Sequence, residues 1–388
     1  MNRIEELIEK LCPEGVPFLT ISEITSLLNG FSFKSNKYSP TGVMVVRITN
    51  VQDGYLDYSD MKYYPIELAS EYKNYLLENE DIVVSLTGNV GRVAIVDENT
   101  PKSALNQRVA ALRNLDKNIL NIRFLFCYLK TNNFKIDCDL AANGSAQSNL
   151  STEWLKRYLI PVPPIEVQNE IVKILDTFSE LEAELEAELE AELEARKKQY
   201  VFLRDQVLTF DEEEVPPSNL GDIYEFQYGK GNTIPKTGGD YPIYGSNGIV
   251  GSHHEFNSED SPVIGHIGAY AGIINWASGK HFVTYNGVIC TIKEGYDPRF
   301  GYHLLMKQNL RELANEGSQP FVSYDKLKSV KVQAPLLPRQ IEIGILLDNL
   351  DKLVSDISIG LPAELTARRK QYEYYRDKLL TFKELEPA

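Results

Sequence analysis

The chain has 388 residues, 43% of them apolar and 10% aromatic, with a net charge of −15. That is enough for two or three domains with real cores, and it excludes a disordered chain. No run of 18 apolar residues exists, so no membrane span is expected.

Residues 1–11 predict a short amphipathic helix (Ile4, Leu7, Ile8, Leu11) without the apolar core of a signal peptide. Cys12, Cys127, Cys138 and Cys290 have no CxxC spacing and read as reduced thiols, so a cytoplasmic protein is expected. From about residue 17 to 160 the chain carries short β-rich runs, "VMVVRI", "DIVVSL" and "VAIV", broken by turn residues. They end in one helical pattern, "NIRFLFCYLKTNNF". Residues 161–215 predict a long helix with Pro164 near its start and Pro216-Pro217 as its stop. Its middle, Leu181 to Ala195, repeats Leu-Glu-Ala-Glu without a break. Residues 216–334 return to β-rich runs, "SPVIGHIG" and "GVICTI", closing on the helical "RFGYHLLMKQNLREL". A second long helix follows in 335–388, with Pro338 near its start and Gly360 and Pro362 expected to bend or interrupt it.

The charge is localised. Residues 161–215 hold 5 Lys/Arg against 16 Asp/Glu, net −11, whereas 1–160, 216–334 and 335–388 are net −2, −1 and −1. The two β-rich segments are therefore near neutral, which weakens a nucleic-acid reading without removing it.

The chain also repeats itself. "PPIEVQNEIVKILD" (163–176) matches "PLLPRQIEIGILLD" (335–348), "ARKKQY" (195–200) matches "ARRKQY" (367–372), and "LRDQVLTF" (203–210) matches "YRDKLLTF" (375–382), each 172 residues apart. One element is used twice. The β-rich segments rhyme as well: "TISEI" with "NLGDI", "SLTGNVGRVAIV" with "GHIGAYAGIINW", Asn106 with Asn286, and the closing "NGSAQSNLSTEWLKRYLIPVP" with "EGSQPFVSYDKLKSVKVQAP". Residues 4–11 precede "TISEI" as 203–210 precede "NLGDI", so the duplication reads as cyclic, with the N-terminus beside the end of the last helix. The expected fold class is α+β: two α/β globules (1–160 and 216–334) separated by two long antiparallel helices (161–215 and 335–388) forming a coiled coil, with a pseudo-twofold. Leu181, Leu185, Leu189 and Leu193 form a stripe that drifts about 40° per step on a helix and needs a partner. The intervening glutamates repel one another at i,i+4.

No catalyst emerges. P-loop, G-x-G-x-x-G, Asn/Asp-Pro-Pro-Tyr/Phe and H-E-x-x-H motifs are missing. His253, His254, His266 and His281 cluster in sequence, with His303 beyond, but their spacing fits no zinc pattern, and no metal site is assigned. The globules instead offer polar, glycine-backed loops. In the first these hold Lys34, Asn36 and Lys37, then Thr87, Asn89 and Arg92, then Gln107 and Arg108. In the second they hold Lys230, Asn232 and Lys236, then Ser246, Asn247 and His253, then His266. Arg, Lys, Asn and Gln are side chains that read base edges or meet phosphates, so these residues are the candidate DNA contacts.

The paired "P-P/L-x-x-x-Q-x-E-I" and "R-K/R-K-Q-Y…R-D-x-L/V-L-T-F" copies, with the "GSAQ" and "GSQ" turns followed by "S-x-x-x-L" that close the two globules, resemble the specificity subunit of type I restriction-modification enzymes over essentially the whole chain. The resemblance implies two target-recognition domains that each read half of a split double-stranded DNA sequence. It implies helices that space them and dock two methyltransferase subunits, and restriction/translocase subunits where a nuclease partner exists. S-adenosylmethionine, ATP and Mg would then belong to those partners, with no cofactor and no catalysis in this chain. Within the matched helix motifs Arg196, Lys197, Lys198, Arg204, Arg368, Arg369, Lys370 and Arg376 are the candidate partner-docking residues. A rival reading is a non-enzymatic coiled-coil scaffold whose globules bind peptides or glycans, which 22 tyrosines would suit.

Overall fold

A computed structural model describes residues 2–142, 149–315 and 319–386. The turns at Gly144, Ser145 and Gln147, and at Gly317 and Ser318, lie outside the described residues. Two compact units result: Met1–Glu186 with Glu364–Ala388, and Ala187–Ala363.

The first unit begins with α1 (Asn2–Leu11), β1 (Phe18–Thr20), α2 (Ile21–Ile24), β2 (Thr25–Asn29), β3 (Val43–Val46), β4 (Tyr63–Tyr64) and α3 (Ala69–Tyr72). It continues with β5 (Ile82–Ser85), β6 (Val93–Ile95), β7 (Ser103–Leu105), β8 (Val109–Asn114), α4 (Ile122–Leu129), α5 (Asn132–Ala142), α6 (Thr152–Arg157) and β9 (Leu159–Pro161). Helix α7 (Ile165–Val207) runs from the first unit into the second. The second unit holds β10 (Pro217–Asn219), α8 (Leu220–Ile223), β11 (Tyr224–Tyr228), β12 (Tyr241–Gly245), β13 (Gly248–His253), β14 (Ser258–Gly265), β15 (Ile274–Val283), β16 (Gly287–Ile292), α9 (Pro298–Lys307), α10 (Tyr324–Lys328) and β17 (Lys331–Gln333). Helix α11 (Leu337–Leu379) returns to the first unit.

In the first unit a four-stranded sheet β2-β8-β5-β6 lies with a three-stranded β4-β3-β7, and β1 pairs with β9. In the second, one six-stranded sheet β11-β16-β14-β15-β12-β13 does the same work, and β10 pairs with β17. Every ladder is antiparallel except β3 with β7 and β12 with β15. The α+β class stands, with globules built on antiparallel sheets rather than on the parallel βαβ units that an α/β label implies. The single helix expected over 121–134 is two, α4 and α5. Thr131 breaks it by turning its hydroxyl onto the Tyr128 carbonyl at 2.7 Å. The pattern over 299–313 also ends early, with α9 stopping at Lys307 before a 3₁₀ turn at Leu310–Leu313.

The long helices are fixed at their ends by the globules. Val167, Ile171, Val172 and Leu175 of α7 lie in the first core, and Ile343 and Leu347 of α11 in the second. Each such burial stabilises by roughly 1.5–3 kcal/mol. Gln168 and Gln340, both buried, perform one joint twice. Each accepts the backbone N–H of a helix N-cap (Asn121 at 2.8 Å, Asp297 at 2.9 Å) and donates to the proline carbonyl five residues back (Pro163 and Pro335, both 2.7 Å).

Within the first unit the ends of α7 and α11 run antiparallel: Ser179 meets Tyr372, while Glu182 and Glu186 meet Arg369. Within the second, Tyr200 and Leu203 line a groove with Leu350, Leu353 and Val354. Of the leucine stripe, Leu181 is 56% exposed, whereas Leu185, Leu189 and Leu193 are half-buried. Leu181 and Leu185 line a groove with Arg368, Tyr372 and Tyr375 of α11. Helix α11 is not interrupted at Pro362. Proline removes one i→i−4 bond, and the rest of the ladder carries the helix past it.

The chain closes on itself in the first unit. Val16 donates to the Lys383 carbonyl at 2.9 Å and accepts from the Leu385 N–H at 2.9 Å, so the end of α11 leads in space towards β1 as the end of α7 leads along the chain to β10. The match of residues 4–11 to 203–210 is therefore positional only. The true counterpart of 203–210 is 375–382, and α1 is an added helix that buries Ile4 beside Ile174 and Leu379.

Candidate nucleic-acid interface

Both globules carry the same hydrogen-bonded frame at their loop-bearing end. In the first, Phe31 N–H donates to the Leu105 carbonyl at 2.7 Å, Leu86 N–H to that of Arg108 at 3.0 Å, Leu150 N–H to that of Leu86 at 2.7 Å, and Val109 N–H to that of Asn106 at 2.9 Å. In the second, Lys230 N–H donates to the Val283 carbonyl at 2.9 Å, His266 N–H to that of Asn286 at 2.8 Å, Val322 N–H to that of His266 at 3.0 Å, and Gly287 N–H to that of Thr284 at 2.9 Å. The bridges Thr87–Asn149 and Ile267–Phe321 complete the correspondence. The frame requires a close backbone approach at one glycine in each globule, since a Cβ on Gly30 would strike the Asn106 carbonyl and one on Gly229 that of Thr284. It also corrects a sequence match. Asn106 corresponds to Thr284, and Asn286 to Arg108, because backbone bonds rather than residue identity set the register.

In the first globule Gln107 and Arg108 are exposed on the β7–β8 turn, next to the 86–92 loop. Arg92 is half-buried and held: its Nη1 donates to Gln52 Oε1 at 2.8 Å, and the Asn89 amide lies against its guanidinium. Thr87 lies beside Asn149 with its hydroxyl buried and without a partner among the described residues. Lys34 and Asn36 are exposed. Lys37 is engaged by Glu71 at 2.8 Å, which holds its ammonium above the ordinary range, so it is less free than its loop position suggests.

In the second globule Asn232, Ser246 and Asn247 converge. They line one cavity of about 280 Å³ with Ile234, Tyr270, Thr284 and Asn286. Lys230 and Lys236 are exposed on the neighbouring loop and carry no ion pair among the described residues. His266 is a correction. It is 4% exposed, bonds the Val322 carbonyl through Nδ1 at 2.9 Å, and packs 4.2 Å from Tyr228, while burial pushes its pKa below the ordinary value. It supports the loop rather than facing out. His253 is half-buried at the outer sheet edge, stacked on Phe282 at 4.1 Å, and is not among the residues lining the cavity. Sequence reading missed Tyr270, Tyr285 and Phe321, exposed aromatic side chains on these loops. An aromatic residue in a glycine-rich turn was the available signal.

The helix residues divide. Arg204 and Arg376 are buried, 7% and 3% exposed; each bonds the following aspartate (Asp205, Asp377) and lies 6.0 Å from a tyrosine ring (Tyr200, Tyr372). Their burial corrects the expectation of free docking side chains, for both are structural pins. Arg196, Lys198 and Arg368 are exposed and pair one turn back with Glu192, Glu194 and Glu364. Arg369 reaches Glu182 and Glu186. Lys197 and Lys370 are exposed without an ion pair among the described residues. No group of His, Cys, Asp and Glu among the described residues could hold a metal ion.

One backbone frame, built twice and dressed with different exposed side chains, defines a duplicated recognition module. The chain belongs to the family of the type I restriction modification DNA specificity domain, whose sequence profile matches residues 13–195 and again 212–367. Among similar proteins, the type I restriction enzyme EcoprrI specificity subunit of Escherichia coli is 30% identical over 382 residues, covering 92% of each chain. The EcoR124I/EcoR124II specificity subunit, also of Escherichia coli, is 29% identical over 314 residues, covering 72% of this chain and 75% of that one. The fold is also that of a chain solved in work on complex assembly and conformational transition of the type I R-M system, with a TM-score of 0.71 at 15% identity, covering 95% and 98% of the two chains. The HsdS subunit from Thermoanaerobacter tengcongensis gives a TM-score of 0.57 at 14% identity over 96% and 99%. No helix of the described residues is long and apolar enough to cross a membrane.

Proposed function

We propose that this chain is the non-catalytic, cytoplasmic DNA-recognition subunit of a type I restriction-modification complex. Each globule reads one half of a bipartite duplex target. Helices α7 and α11, acting as an antiparallel coiled coil, set the gap between half-sites and dock two methyltransferase subunits. S-adenosylmethionine serves in those partners, and ATP and Mg in a restriction/translocase partner where one is present. The single observation that carries the reading is the shared frame: matching hydrogen bonds hold the backbone of both globules, while Arg108 and Gln107 in one are replaced by Asn286 and Tyr285 in the other. Such a device presents two different chemical faces to two half-sites.

Helix α7 supplies the test. Each Leu-Glu-Ala-Glu unit adds about 6 Å of helix, equivalent to one or two base pairs at about 3.4 Å each. Deleting Leu185–Glu188 should shorten the unspecified gap in the methylated target by that amount and leave both half-sites unchanged. Methylation mapping in a host expressing the chain with its methyltransferase reads this directly, and an unaltered gap refutes the spacer role. The exposed Tyr270, Tyr285 and Phe321 favour a second reading, a non-enzymatic coiled-coil scaffold whose globules bind peptides or glycans. Steep loss of duplex binding between low and moderate salt separates the two.

A further inference from the structure

We propose that Arg108 and Asn286 are the residues by which the two globules demand different bases: guanine in the half-site read by the first, adenine in that read by the second. The inference rests on the function proposed above and gives it residues. The two positions are equivalent by backbone bonding, since each carbonyl accepts from the corresponding loop, Leu86 N–H at 3.0 Å and His266 N–H at 2.8 Å. Each is flanked by a strand that starts at once, β8 at Val109 and β16 at Gly287. A side chain on such a support keeps its origin fixed, as reading a base edge demands. The flexible loop lysines Lys34, Lys230 and Lys236 are point charges suited to phosphates.

The side chains are unspent. Arg108 is exposed and has no ion pair among the described residues. Asn286 lines the cavity of about 280 Å³ with Asn232, Ser246, Asn247, Thr284 and Tyr270, amide and hydroxyl groups set among the apolar Ile234 and Val250, with no charged residue in the lining. Arginine matches the two acceptors, O6 and N7, of guanine, and asparagine matches the donor and acceptor, N6 and N7, of adenine. The adjacent pair sharpens the contrast, with exposed Gln107 beside Arg108 and exposed Tyr285 beside Asn286.

The experiment compares wild type, Arg108→Asn, Arg108→Lys, Asn286→Arg and Lys34→Ala, each in complex with the methyltransferase subunits, by genome-wide methylation mapping and by binding to duplexes altered one base pair at a time. Arg108→Asn should cut affinity for the cognate duplex roughly tenfold to a hundredfold and change the preference at one guanine of one half-site. The other half-site and the gap should stay as they are. Asn286→Arg should do the same at one adenine of the opposite half. Arg108→Lys keeps the charge and the fold and should still lose discrimination, which separates base reading from simple attraction. Lys34→Ala should weaken all duplexes alike. Unchanged half-sites in Arg108→Asn and Asn286→Arg, or a uniform loss across all sequences, overturns the proposal while leaving the subunit's function intact. A wild-type complex that methylates no bipartite sequence removes both readings at once.

Discussion

The joint between globule and helices is built twice, and two of the residues around its arginine–aspartate pair differ between the copies. In the first unit, Arg123 of α4 pairs with Asp176 of α7 at 2.6 Å, Cys127 is buried beside them, and Tyr372 of α11 meets Ser179 at 3.5 Å. In the second, Arg299 of α9 pairs with Asp348 of α11 at 3.3 Å, and Tyr200 of α7 takes the place of Tyr372. There His303 replaces Cys127 and Asp351 replaces Ser179. His303 is fully buried, with Nε2 2.8 Å from Asp348 Oδ1 and Nδ1 3.2 Å from the Tyr200 hydroxyl. One neutral tautomer satisfies both bonds, with Nε2–H donating to the carboxylate and Nδ1 accepting from the phenol. The Cys127 thiol makes no such bridge among the described residues, and burial pushes its pKa up to about 11. The comparison teaches that the arginine–aspartate pair and the tyrosine recur in both joints, while the central residue is a doubly hydrogen-bonded imidazole in one and a buried thiol in the other.

The strongest way to break the likeness is to attack what the two globules share. Gly30→Ala and Gly229→Ala each place a methyl group against a backbone carbonyl that cannot yield. Each should destabilise its own globule by about 3 kcal/mol. Hydrogen exchange should show faster opening of β2 and β8 in the first variant and of β11 and β16 in the second. Equal opening of both globules in either variant would contradict independent frames.

A smaller effect comes from acidification, which should separate the units. All five histidines lie in the second. Burial lowers the pKa of His303 below the ordinary 6.5, with the Asp348 bond opposing. His266 and His281 are lowered by burial too. The unfolded chain then binds more protons than the folded one, so stability from this source is complete above about pH 6.5 and falls as pH drops towards the folded values. Between pH 7.5 and 5.5 the second unit should lose exchange protection relative to the first. The groups facing His303 are Asp348, Asp351, Tyr200, Tyr302 and Arg204. His303→Cys, which copies the first unit, should flatten the part of the slope due to this joint, and an unchanged slope would assign it to His266 and His281.

Much of this was legible in the sequence. The 172-residue register placed both long helices, and the place of residues 4–11 before "TISEI" pointed to the N-terminus lying beside the end of the last helix, where Val16 bonds Lys383 and Leu385. Neither could give the register of the globules, where Asn106 was matched to Asn286. Backbone bonds, not identities, decide that correspondence, and Thr284 shares no feature with Asn106 that a sequence displays. Composition picked out Asn232, Ser246 and Asn247, which do converge, because short polar residues in glycine-backed turns have little else to do. It failed for His266, Arg204 and Arg376, since a polar residue in a motif reads the same whether it faces water or pins a fold. Burial is a tertiary fact, and Leu181 shows the converse case, an apolar residue of the leucine stripe left 56% exposed.

The smallest difference between the units lies on the helices. In the first, Arg369 bridges Glu182 at 3.2 Å and Glu186 at 3.2 Å. At the matched positions the second unit has Lys197, Val354 and Ser358. Arg369 is 58% exposed, so its pairs are screened by water and salt. Arg369→Ala should therefore cost less than about 1 kcal/mol in the first unit at low salt and nothing measurable at 1 M salt. The comparison variant Lys197→Ala should be neutral under both conditions, because no carboxylate stands at the matched positions. A larger, salt-resistant loss for Arg369→Ala would mean that the guanidinium also packs along Glu182 and the α7 backbone as a buried strut, and the two units would then differ in helix packing as well as in charge.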